Sequence, residues 1–138
     1  MAVVKLISIS AEKTQSSINP TVSQDLAKGI IVTSPQAYAT IKSPLTITGK
    51  AKGAWFFEGV FGVKLRYGGS RYVASGQVRA IGNWMTSDYV NFEAVLEFDR
   101  PIFITENVNN NYGELVLNNA NPSDLPENAL EFSIPVIF

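Results

Sequence analysis

The chain has 138 residues, 46% of them hydrophobic and 11% aromatic, enough for one domain with a real core and too few for two comfortable ones. Its 11 basic residues stand against 12 acidic ones, which removes the electrostatic argument for nucleic acid or an anionic membrane surface as a partner. Neither cysteine nor histidine occurs, so hydrolases of the Ser-His-Asp or Cys-His type are excluded and the usual nitrogen and sulfur ligands of structural zinc are missing.

In chain order, residues 3–9 alternate weakly, with Val4, Leu6 and Ser8 set against Val3, Lys5, Ile7 and Ile9. They read as an extra edge strand, added either to their own fold or to a neighbouring copy. The segment is not a signal peptide, because Lys5 interrupts a short apolar run that no basic leader precedes. Residues 11–28 are rich in Ser, Thr, Gln, Asn and Lys, lack aromatics and contain Pro20, which predicts a polar linker. The expected organisation is therefore an N-terminal segment and linker over 1–28, followed by one folded domain over 29–138. No run of about 20 apolar residues spans a bilayer.

Within 29–138 the side chains alternate with the period of a half-buried strand. Residues 30–33 form the first such run, and residues 44–49 the second, with Leu45 and Ile47 facing in and Thr46 and Thr48 out. Small and charged residues over 49–54 predict a turn. A third strand follows, with Phe57, Phe61, Val63 and Leu65 on its inner face. Gly68 and Gly69 bend the chain into a partner strand over 71–80, where Tyr72, Ala74, Gly76 and Val78 share a parity. Residues 90–98, 112–118 and 130–138 complete the set. In the last of these, Pro135 lacks an N–H donor, which predicts an edge or a bulge. About seven strands without a competing helical period predict an all-β, immunoglobulin-like antiparallel sandwich with no disulfide. Phe57, Phe61, Phe92, Leu96, Phe132 and Ile134 are expected to meet between its sheets.

Several segments in order carry a family pattern: IIVTSP at 30–35, SPLTITGKA at 43–51, WFFEGVFGVKL at 55–65, GNWMTSDYVNFEAVLEF at 82–98, NPSDLPEN at 121–128 and the closing IPVIF at 134–138. Over the last four-fifths of the chain this resembles the immunoglobulin-like domain of bacterial spore-germination and related cell-envelope proteins. Residues 67–70, YGGS, depart from the acidic or Asn-containing hairpin turn expected there, and glycines alone supply the bend. The resemblance implies a sandwich fold, an extracytoplasmic location and a non-enzymatic role.

Three groups of residues could carry chemistry. Glu58, Glu93, Glu97 and Asp88 could supply an acid and a base for glycoside hydrolysis, but that reaction needs two carboxyls at a fixed separation across a cleft, and solvated charges explain them as well. Residues 106–111 and 121–128 offer oxygen ligands for calcium, but without Asp at alternate positions both read as Asn- and Pro-built turns. No metal and no cofactor is implied. The aromatic and thioether side chains in connecting segments, Trp55, Phe56, Trp84, Met85 and Tyr89, are the candidate ligand-binding residues. Exposed together, they would form a platform for a partner protein or a sugar ring. The competing expectation is a tryptophan that plugs the core, as this fold often has.

These readings converge on a non-catalytic binding or spacer module of a bacterial cell-envelope protein, with a glycan-binding module using the loop aromatics as the alternative. Its partners would be an envelope protein or a glycan, with self-association through residues 3–9, and any membrane attachment would come from an anchor outside this sequence.

Overall fold

The computed structural model describes residues 22–68, 71–101 and 111–138. The expected strand at 3–9 and the tract at 106–110 lie outside the described residues. Among the described residues there are nine strands: β1 Ser23–Asp25, β2 Ile30–Ser34, β3 Ala39–Thr40, β4 Leu45–Lys52, β5 Val60–Tyr67, β6 Arg71–Ala80, β7 Tyr89–Leu96, β8 Tyr112–Asn118 and β9 Glu131–Ile137. No described helix is long and apolar enough to cross a membrane. The count exceeds the expected seven because β1 and β3 are too short to show a period.

All nine belong to one hydrogen-bonded sheet in the order β1-β2-β4-β7-β6-β5-β8-β9-β3. Neighbours are antiparallel except β3 and β9, which run parallel. β2 and β3 are separated by only four residues yet lie near opposite ends of this order, so the sheet has to curl until its two halves face each other. The fold line lies at β6, which pairs with β5 along its length but with β7 only at Arg79↔Glu93 and Ala80↔Phe92. An immunoglobulin-like sandwich results, with the inward parity of both halves as its core.

That core is apolar and closely interlocked. Ile30, Ile47, Phe61, Leu65, Phe92, Leu115, Leu117 and Ile134 are buried, each contributing about 1.5–3 kcal/mol by transfer. Phe61 is its hub: Trp55, Phe56 and Phe92 present ring edges to it at centroid distances of 5.2, 5.1 and 5.4 Å. At the other end, Phe138 holds Tyr67 and Phe98 in the same edge-to-face manner.

The structure corrects four local expectations. Residues 49–52 do not turn; they extend β4, because Gly49, Lys50 and Ala51 pair with β2 on one side and β7 on the other. Phe57 is not a core residue but 47% exposed. Glu58 and Gly59 form a two-residue hairpin turn with φ of 55° and 78°, closed by Phe57 N–H to Val60 O at 2.9 Å and the reverse bond at 3.2 Å. Positive φ at both central residues is the type I′ geometry, which places Phe57 opposite Val60 on the outer face. Tyr72 also faces out, because a bulge at Val73 puts Leu65 opposite Ala74 but Arg66 opposite Tyr72 and so inverts the parity. Finally, residues 23–25 of the expected linker form a strand of the sheet: β1 pairs with β2 through a turn closed by Gly29 N–H to Asp25 O at 2.9 Å.

Pro135 sits one position from the rim. Its carbonyl accepts from Tyr38 N–H at 2.7 Å, and because the N–H and C=O of a strand residue point the same way, its missing donor faces only the two-residue β3.

Candidate binding surface at the loop end

Three connections gather at one end of the sandwich: residues 53–59 between β4 and β5, residues 81–88 between β6 and β7, and residues 119–130 between β8 and β9. Main-chain bonds brace them against one another. Gly53 N–H donates to Asp88 O at 3.1 Å, Ala120 N–H to Trp55 O at 2.9 Å and Ala80 N–H to Gly59 O at 2.8 Å. The first contact demands glycine. A Cβ at residue 53 would run into the carbonyl oxygens of Thr86 and Trp84, so the short 3-10 turn Gly53–Trp55 can lie directly on the 81–88 loop only without a side chain there. The loop itself is pinned from within by Met85 N–H to Asn83 Oδ1 at 3.0 Å and Asp88 N–H to Thr86 Oγ1 at 3.1 Å.

The five candidate residues separate into three environments. Trp55 and Phe56 are 1% and 4% exposed; their rings belong to the cluster around Phe61. The competing expectation, a tryptophan plugging the core, describes Trp55. Trp84 is half-buried against the core and lies over the hairpin turn, its ring 3.6 Å from where a Cβ on Gly59 would stand. Met85 is 73% exposed at the loop crest. Together with Lys52, Gly53, Ala54, Phe56, Thr86 and Ser87, Trp84 and Met85 line an open depression of about 530 Å3. Tyr89 has left the loop altogether. It begins β7, opposite Lys52, on the outer face of the sheet, where the ammonium groups of Lys52 and Lys50 lie 4.9 and 5.9 Å from its ring centroid.

Phe57 joins the loop end unannounced, since a continuous inner parity conceals a turn. The two lysines over Tyr89 were equally hidden, because only the register of two strands far apart in sequence places them there.

The other candidate groups fall into place. Glu58 is at the tip of the type I′ turn, Glu93 stands between Thr48 and Arg79 in the ladder, and Glu97 lies just beyond β7. In the 121–128 loop the side-chain oxygens serve the loop: Ser123 Oγ donates to Asn121 Oδ1 at 2.7 Å, while Asn128 Nδ2 and Leu125 N–H donate to Ser123 Oγ at 2.9 and 3.2 Å. These bonds are those of a self-capped turn.

A family model described as the immunoglobulin-like domain of bacterial spore germination matches residues 29–108, a span that runs from the start of β2 past β7 and includes the 53–59 and 81–88 loops. No curated protein and no solved structure matches the chain.

Proposed function

From the premise that this chain belongs to the family of the immunoglobulin-like domain of bacterial spore germination, we propose that it is a non-catalytic, extracytoplasmic binding module of a cell-envelope protein, and that its loop end docks a partner protein. The observation that carries this reading is the pairing of exposure with rigidity. Met85 and Phe57, 73% and 47% exposed, and the half-buried Trp84 stand on loops whose backbones are braced by Gly53 and Ala120. Apolar anchors on a preorganised backbone favour protein association because little ordering entropy is lost on binding. A flexible thioether beside a half-buried indole suits an apolar protein surface better than a sugar, which needs converging hydrogen-bonding groups.

The test is capture of a defined partner from a solubilised cell-envelope fraction by the full chain, compared with Met85→Asp and Phe57→Asp. Both variants should fail to retain the protein that the parent chain retains, while a control at the far end, Tyr112→Asp, retains it. Equal retention by all four chains would sink the loop-end reading.

A further inference from the structure

We propose that the outer face of β4 and β7 is a second binding site, bordering the loop end at Lys52, and that its ligand is an acidic, carboxylate-bearing glycan. Lys50 and Lys52 alternate with inward residues on β4, so both project from the same face. Their ammonium groups approach a single ring, that of Tyr89. Lys52 is seated rather than free. Gly29 has φ 77° and no side chain, and a Cβ there would stand 2.5 Å from Lys52 Cγ; the stem of the lysine therefore lies against the Gly29 backbone, and Lys52 N–H donates to Gly29 O at 2.9 Å. Neither lysine forms an ion pair with a described residue, whereas Lys28 pairs with Asp25 and Arg66 with Glu114. Glu93, two residues along β7 from the Asn91 that faces Lys50, has Arg79 as its neighbour on the other side.

Next to this pair the sheet opens into a depression of about 370 Å3 lined by Thr33, Thr48, Asn91, Ile81 and Lys50, among others. Thr33 Oγ1 and Thr48 Oγ1 are already hydrogen-bonded to each other at 3.0 Å, which leaves lone pairs and the Asn91 amide for ligand hydroxyls. The face thus combines three kinds of recognition in one place. Tyr89 offers the apolar surface of its ring to the C–H groups of a sugar, hydroxyl and amide groups suit its OH groups, and two ammonium groups gathered at that ring meet the carboxylates of the ligand. An acidic polypeptide would use the cations but neither the ring nor the hydroxyl-lined depression.

The experiment is calorimetric titration of the full chain at low salt with polygalacturonate oligomers, neutral dextran and poly-L-glutamate. Binding of polygalacturonate is expected, with dextran and polyglutamate at least about tenfold weaker. Lys50→Gln combined with Lys52→Gln should weaken it about tenfold, and raising the salt should weaken the parent chain. Tyr89→Leu keeps both charges and should still lose affinity about threefold, which separates stacking from simple charge. Thermal melting of the same variants checks that they fold. The proposal is overturned if polygalacturonate does not bind, if polyglutamate or dextran binds as tightly, or if the double lysine variant binds like the parent. Met85→Ser, which removes the loop-crest anchor without adding a charge, should leave polygalacturonate affinity unchanged; a parallel loss would show that there is one site and not two.

Discussion

The indole N–H of Trp55 donates to the main-chain carbonyl of Lys28 at 2.7 Å. One fully buried side chain thereby closes the loop end of the core and ties it to the turn between β1 and β2. Trp55→Ala is expected to lose about 3–5 kcal/mol of stability. Trp55→Phe should lose about 1–3 kcal/mol, since a ring still fills part of the space but the carbonyl of Lys28 has no donor. Urea unfolding followed by circular dichroism reads both, and a Trp55→Phe midpoint equal to that of the parent would mean that the bond and the extra ring volume contribute nothing.

Gly53 is the contact between the 53–59 and 81–88 loops. Gly53→Ala puts a methyl group against the Thr86 carbonyl, and a backbone atom cannot rotate away as a side chain can. A cost of about 1–3 kcal/mol is expected, together with weaker partner capture, because the 81–88 loop carrying Trp84 and Met85 has to move. Unchanged melting would refute the close approach.

The type I′ turn at Glu58 and Gly59 offers a stabilising change. Glu58 holds φ 55°, which costs an ordinary residue about 1 kcal/mol, whereas Asn tolerates it and Asn-Gly is the favoured pair for this turn. Glu58→Asn should raise stability by about 0.5–1 kcal/mol, seen as a higher melting temperature, and a fall on substitution would contradict the turn assignment.

Met85 contributes little to the fold. With most of its surface in water, Met85→Ser is expected to change stability by less than about 0.5 kcal/mol, so any loss of partner capture by Met85 variants reflects the surface itself. A drop of several kcal/mol would show the loop crest to be packed.

The alternation over 90–96 is matched by the structure: Val90, Phe92, Ala94 and Leu96 are buried while Asn91, Glu93 and Val95 are exposed. The span 112–118 coincides with β8. Legibility failed where a local irregularity inverted the period, at the Glu58-Gly59 turn and at the Val73 bulge, since one unpaired residue moves every later side chain to the other face. Of the candidate site, the existence of a connecting loop from Gly82 onward was readable from its aromatic and polar mixture, whereas the division of Trp55, Phe56, Trp84, Met85 and Tyr89 among core, loop crest and sheet face was not.

What the sequence alone determined is whatever depends on nearest neighbours along the chain: an all-β sandwich, the longer strands with most of their inward faces, and the family pattern. The tertiary structure decided what depends on partners distant in sequence. Trp55 is buried because Phe61 lies beside it and the Lys28 carbonyl receives its N–H. Lys50 and Lys52 meet Tyr89 because β4 and β7 pair in a register that sets Lys52 opposite Tyr89. Side-chain alternation has a period of two and carries no information about which strand lies next door, whereas a binding face on a sheet is built across strands.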